Sequence, residues 1–312
     1  MVKGLLLVNL GTPDTFATSD VRAYLNEFLS DPNVIKMPKW LWQPILHRFI
    51  LPTRSWHSAA LYERIWDRGE SPLRKYTRLQ AEQVQAQLPD WIVKYAMTYR
   101  MPRVIDELHA LKAAGADKIV VLPLFPQYSA TTTKTIEEQV AASGVEAQVI
   151  KNFYAHPKYL DLLAKNIAAR WQTKQYDKLL LSYHGLPTSY IRQGDPYLEQ
   201  VNATTTGIMS RMPDLNADNT MQVFQSKFGP MPWLKPYLKA TLAQLPMHNE
   251  RRVLVALPAF VADCIETLEE IQVENHDEFL AMGGELFDVV QPFNDSLAFT
   301  DLLVTLARDT LN

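Results

Sequence analysis

Leu179–Pro187, LLLSYHGLP, reads as a strand that runs into a histidine and stops there. Leu179, Leu180 and Leu181 require burial, and Gly185 with Pro187 ends the ladder. Side chains alternate along a strand, so Ser182 and His184 share one face and Tyr183 takes the other. Open α/β sheets hold their ligand chemistry at the carboxyl ends of parallel strands, which is where this histidine falls. Taken alone, it is equally a histidine bonded beneath a loop. Its neighbours decide between the two.

Short aliphatic runs alternate with longer helical patterns along the whole chain, the signature of βαβ units and parallel sheet. Strands are expected at Gly4–Leu10, Ile92–Tyr99, Lys118–Phe125 and Glu146–Phe153. A second set follows at Lys178–His184, Met221–Phe228, Arg252–Phe260 and Phe287–Phe293. The strand ends pair in order, Leu10-Gly11-Thr12-Pro13 with His184-Gly185-Leu186-Pro187 and Pro123-Leu124-Phe125 with Pro258-Ala259-Phe260. The fold expected is therefore α/β: two similar Rossmann-like domains, each a four-stranded parallel sheet flanked by helices, with a cleft between them. Residues 1–153 form the first and 154–312 the second, which carries the histidine. The helical, Trp- and Tyr-rich region 16–90 is too long for a crossover and is expected to wall the cleft as a lip or lid. Pro102 opens a helix bearing Val104, Leu108 and Leu111, and Asp195-Pro196 starts another. A final amphipathic helix, about 296–311, is free to pack back on the first domain.

Composition narrows the function. A formal net charge of −3 offers no footprint for nucleic acid. The single cysteine, Cys264, excludes a disulfide framework or an all-cysteine metal site and suits a reducing cytoplasm. No run approaches the ~20 apolar residues of a membrane span. Leu5–Leu10 is apolar but leads into Gly11-Thr12-Pro13, not a cleavage site. Trp40–Pro52, WLWQPILHRFILP, is aromatic and sparsely charged, fit for core, for an apolar mouth or for a bilayer surface.

No G-x-G-x-x-G, Walker A lysine loop or G-x-S-x-G elbow is present, so nucleotide and hydrolase readings lack their motifs. Ser182 and His184 on one strand face do not by themselves make a nucleophile–base pair. More telling is the stretch ADCIETLEEIQVENHD. On a helix, Asp263, Glu266, Glu270, Glu274 and Asp277 form one acidic ridge beside an apolar stripe of Ile265, Leu268 and Ile271. Stacked like charges cost an isolated helix roughly 0.2–0.5 kcal/mol a pair. The ridge begins just past a strand end, Leu257–Phe260, so its first carboxylates are expected to face the cleft. Carboxylates leading to a histidine suit a divalent cation of intermediate hardness. Aromatics at two strand ends, in Pro123–Ser129 and in Phe224–Leu234, suit a flat apolar ligand.

These segments together resemble ferrochelatase. The likeness rests on Val8–Pro13, Pro126–Ser129, Ser182–Pro187, Gly194–Tyr197, Gln225–Lys227 with Pro232–Leu234, and Phe260–Leu268, in the family's order and end to end. The resemblance implies a lyase that inserts Fe²⁺ into a free-base porphyrin during haem biosynthesis. His184 matches the family's active-site histidine and Glu266 the glutamate across the porphyrin from it. His184, Glu266 and Glu270 are the implied metal-handling residues. Leu10, Arg54, Tyr62, Ser71, Tyr99, Tyr128, Ser129, Ser182 and Trp233 fall at porphyrin-contact positions. Trp40–Pro52 matches the apolar lip that meets the bilayer in membrane-associated members.

Fe²⁺ and porphyrin are substrates in this reading, with no resident cofactor. One cysteine cannot hold the [2Fe–2S] cluster of some members. A cytoplasmic monomer is expected, in peripheral contact with the inner membrane face through 40–52. Leu10 stands where coproporphyrin-specific relatives carry a tyrosine, which favours protoporphyrin IX over coproporphyrin III, and Thr98 replaces an arginine of some members. Two rivals remain: a porphyrin or haem carrier without turnover, which has little use for the acidic ridge, and a chelatase for cobalt or nickel.

Overall fold

The computed structural model describes residues 1–311. The chain divides into one unit made of Met1–Asn152 with Asn294–Asn312, and a second made of Phe153–Phe293.

The first unit runs β1 (Lys3–Gly11), α1 (Thr18–Leu29), α2 (Lys39–Ile45), α3 (Leu51–Ile65), α4 (Pro72–Gln87), β2 (Trp91–Tyr99), α5 (Val104–Ala113), β3 (Lys118–Pro123), α6 (Thr135–Ser143) and β4 (Gln148–Val149). The second runs α7 (Pro157–Trp171), β5 (Lys178–His184), α8 (Thr188–Arg192), α9 (Tyr197–Met209), β6 (Thr220–Gln225), α10 (Leu238–Gln244), β7 (Arg252–Ala256), α11 (His276–Ala281) and β8 (Leu286–Val289). α12 (Leu297–Leu311) follows and belongs to the first unit, where it packs on α4 and β3. Its Phe299, Leu302, Leu303 and Leu306 are buried there, and Gln80 and Gln83 of α4 reach the carbonyls of Asn294 and Asp295. The second unit accordingly stops at Phe293, short of the expected limit at 312.

Each unit holds one parallel sheet, ordered β2-β1-β3-β4 and β6-β5-β7-β8. The inner strands are covered on both faces, which is why Leu5–Val8 and Leu179–Leu181 are continuous apolar runs without alternation. One core packs Leu6, Val8 and Val121 against Leu108, Leu111 and Ile136, and the other packs Leu180, Val223 and Val255 against Leu238, Ile271 and Phe279.

The duplication extends to details that spacing does not show. A glycine stands at the end of the first strand of each unit, Gly11 closing β1 and Gly185 following β5. The first residue past each outer strand has a left-handed backbone, Arg100 at φ 72° and Ser226 at φ 60°. The chain then returns through a cis proline to bond its own strand, Met97 N–H to Pro102 O at 2.7 Å and Phe224 N–H to Pro236 O at 2.9 Å. The return is only Arg100–Pro102 in the first unit but Ser226–Pro236 in the second. A π-helical turn follows the third strand in both, Ala130–Lys134 and Glu266–Asn275.

Several elements are shorter than expected. β6 ends at Gln225 because Ser226 turns left-handed, and β7 ends at Ala256, two residues before Pro258. β4 pairs through Gln148 and Val149 alone, and β8 stops at Val289. Pro102 lies outside α5, whose N-cap is Arg103. Among the described residues no helix is long and apolar enough to cross a membrane.

Candidate active site

His184 is the last residue of β5, and three contacts fix it. Its register partner is Gln225 of β6. Its carbonyl accepts from Tyr197 Oη at 3.0 Å. Tyr197 opens α9, where Asp195 Oδ1 accepts its N–H at 3.0 Å, so the Gly194–Tyr197 segment serves as a brace for the histidine. The ring Nδ1 lies 2.8 Å from Gly185 O. A carbonyl only accepts, so Nδ1 is the donor in this contact and Nε2 is the ring nitrogen left open for other work.

Ser182, expected at the porphyrin, is fully buried and donates to Gln225 Oε1 at 2.8 Å. It supports the site and does not line it, because its one proton and its whole surface are taken up inside the unit. Gln225 in turn reaches Glu270 Oε2 with its Nε2 at 3.3 Å. Ser226 donates its backbone N–H to Glu270 Oε1 at 2.7 Å and its hydroxyl to Oε2. Burial pushes the Glu270 carboxyl above the usual carboxylate range; the Ser226 hydroxyl and the neighbouring His184 draw it back, and the charge of Glu266 adds to the rise. Glu270 thus lies close enough to His184 and to Glu266 to feel each of them.

The acidic ridge differs from its α-helical expectation. Glu266–Asn275 is a π-helical turn, and it buries Thr267, Glu269, Ile271 and Asn275 in place of the Ile265–Leu268–Ile271 stripe. Asp263 is buried and accepts from Thr267 Oγ1 at 2.7 Å. Glu274 and Asp277 face solvent beside Lys239 and His276. Only Glu266 and Glu270 remain at the strand-end side. Among the described residues no three His, Cys, Asp or Glu side chains form a ready metal-holding group. Ser226 and Gln225 already bond the Glu270 carboxylate, Oε2 twice and Oε1 once.

Trp233 sits on the long return after β6. It pairs with Pro187 through the backbone, Leu234 N–H bonds Leu186 O at 2.9 Å, and its buried indole Nε1 has no partner among the described residues. A β-carbon on Gly185 would meet the Trp233 ring at 3.2 Å, so glycine lets the tryptophan lie against the strand end.

The remaining expected residues belong to the first unit. Leu10 is half-buried near the end of β1, and Arg54 is exposed on α3. Tyr62 is buried edge-on to Tyr24 and Trp66. Ser71 and Ser129 are buried helix caps, accepting from Arg74 N at 3.3 Å and Thr131 N at 3.1 Å. Tyr128 donates to Glu137 at 3.0 Å. Tyr99 is buried with its hydroxyl on Asp31 at 2.7 Å, and burial beside that carboxylate raises its pKa. It is a structural phenol, not a pocket wall, because Asp31 holds it inside the unit.

Gln225, Ser226 and Tyr197 were not singled out as site residues from the sequence. A polar pair ending an apolar strand just before Gly229-Pro230 was the available signal for the first two.

A model of the ferrochelatase family matches residues 2–311. A coproporphyrin III ferrochelatase of Lactiplantibacillus plantarum is 50% identical over 98% of this chain and 95% of its own length. Those of Lacticaseibacillus casei, 49% over 100% and 97%, and Limosilactobacillus reuteri, 48% over 98% of each, are similar. Among solved structures, SirB from Bacillus subtilis with Fe3+ superposes with a TM-score of 0.58 at 12% identity, covering 99% of this chain and 96% of that one. The sirohydrochlorin chelatase SirB in complex with cobalt, from subspecies spizizenii, gives 0.55 at 12% identity, over 99% and 95%. That likeness is one of fold. With the histidine strand, its brace and the glutamate-bearing turn all present in a chain matched from end to end, this protein belongs to the ferrochelatase family.

Proposed function

We propose that this chelatase inserts Fe²⁺ into coproporphyrin III, giving coprohaem and two protons. The observation that carries the choice of porphyrin is the whole-length likeness, at 48–50% identity, to enzymes named for that substrate. The preference for protoporphyrin IX drawn from Leu10 gives way: it rested on one position, against agreement over the whole chain.

His184 accepts one pyrrole proton at Nε2, the nitrogen its bond to Gly185 leaves open. A neutral imidazole suits this near pH 7. Glu266 ligates the incoming iron. Glu270 handles the incoming ion beside Glu266, and once the metal has passed to the pyrroles its carboxyl, raised by burial, takes the second proton and passes it outward. Leu10, Arg54, Tyr128 and Trp233 are kept as porphyrin-contact residues in this reading.

The test is anaerobic Fe²⁺ insertion, followed by loss of free-base fluorescence, with coproporphyrin III and protoporphyrin IX compared. Faster turnover of coproporphyrin is expected. Preference for protoporphyrin overturns the substrate, and no insertion into either overturns the enzyme reading in favour of a carrier.

A further inference from the structure

The two carboxylate oxygens of Glu270 are unequally engaged. Oε2 accepts from the Ser226 hydroxyl and from Gln225 Nε2 at 3.3 Å, which fills both of its lone pairs. Among the described residues Oε1 accepts the Ser226 N–H alone, at 2.7 Å, and keeps one pair free. Gln225 is itself held by Ser182, so this donor is not free to swing away.

Ser226 delivers two donors to one carboxylate because its backbone is left-handed. Glu270 does not create that conformation. Arg100, at the equivalent strand end of the first unit, also has a positive φ, of 72°, and also gives its N–H to a glutamate, Glu27 at 3.3 Å. The strand end and its return through Pro102 or Pro236 are common to both units. The duplicated frame therefore sets the backbone, and the serine side chain is the feature peculiar to the second unit.

We propose that Ser226 is a positioning residue for metal insertion: by occupying Oε2 it limits Glu270 to engaging the incoming divalent ion through one oxygen. This rests on the reading of this strand edge as the metal-handling side. A divalent ion gains affinity with each oxygen ligand and with the rigidity of the set. An insertion enzyme has to give its ion up to four pyrrole nitrogens, so a carboxylate free to clamp with both oxygens would hold the substrate back. The charge-assisted bond from Ser226 keeps the hold loose.

The experiment compares the wild type with Ser226→Ala and Ser226→Gly. Both lack the hydroxyl, while glycine also relieves the left-handed backbone. Zn²⁺ binding to the porphyrin-free protein is titrated, and Fe²⁺ insertion is measured alongside, with thermal unfolding as a check of the fold. Both variants are expected to bind Zn²⁺ about tenfold more tightly, with kcat about tenfold lower and a lower KM for the metal, the scale of one hydrogen bond to a charged group. Unchanged Zn²⁺ affinity and kcat in both overturns the proposal. So does a defect in the alanine variant that glycine abolishes, since the backbone and not the hydroxyl would then matter. Failure of the wild type to insert iron at all would fall on the enzyme reading, and the Zn²⁺ titration would still decide the role of Ser226.

Discussion

Gly185 and Gln225 approach so closely that a β-carbon on the glycine would lie 2.8 Å from the Gln225 carbonyl oxygen, nearer than real side chains come. The contact ties the residue after His184 to the residue before Ser226. Gly185→Ala must therefore push β6 and Trp233 outward. The expected cost is about 1–3 kcal/mol of stability, with a larger loss of insertion rate, measured by thermal unfolding and kcat together. Gly11→Ala should destabilise the fold more, since its β-carbon would meet Tyr99 O at 2.2 Å at a φ of 120°.

His184→Ala removes the proton acceptor, and Glu266→Gln keeps the shape of its side chain while losing the charge. Each is expected to lower kcat by roughly 10²–10⁴-fold, with porphyrin binding, read by fluorescence quenching, largely kept. Near-normal turnover in both would sink the assignment.

Tyr99→Phe separates a structural phenol from a substrate contact. Asp31 would keep Thr135 Oγ1 at 2.7 Å but lose the tyrosine hydroxyl. A stability loss of about 1–2 kcal/mol is expected, with KM for porphyrin unchanged. A raised KM without loss of stability would return Tyr99 to the pocket.

Asp288 on β8 binds Arg170 at 3.0 Å, Lys174 at 2.8 Å and Tyr176 at 2.5 Å, tying the end of α7 to the sheet edge. Its partial burial opposes ionisation, but the bonds from Lys174 and Tyr176 outweigh it and leave the carboxyl below its usual range. A depressed carboxylate pKa contributes stability above the unfolded value and loses it as pH falls through the folded one. Asp288→Asn should therefore melt below the wild type at pH 7, and the gap should close as pH drops below about 4. A gap that persists at low pH would assign the effect to packing.

The histidine strand was legible because its signals are local: an apolar run, a glycine and a proline fixed β5 from Lys178 to His184. The parallel sheets followed from alternation and from the order of strand ends. What stayed hidden depended on contacts distant in sequence. A left-handed serine is not written in the letters around Ser226, so the sequence carries the expected strand on to Phe228, three residues past the end of β6. The π-helical turn was missed because Glu266, Glu270 and Glu274 fit α-helical spacing equally well. Burial of Tyr99 and Ser182 depended on Asp31 and Gln225, partners far along the chain. The choice of porphyrin is hard to read for a different reason: Leu10 is one residue, and a single position weighs little against a whole chain.

The first unit is discontinuous, with Phe153–Phe293 lying between its two segments and α12 completing it on α4 and β3. During synthesis, at about 5–20 residues per second, β1 to β4 emerge early but wait for their last helix until the whole histidine-bearing unit has been made. The later half is thus the first able to finish folding. The earlier half spends that interval with the ground meant for Phe299, Leu302 and Leu303 uncovered, apolar surface of the kind that makes a partly folded chain prone to aggregate.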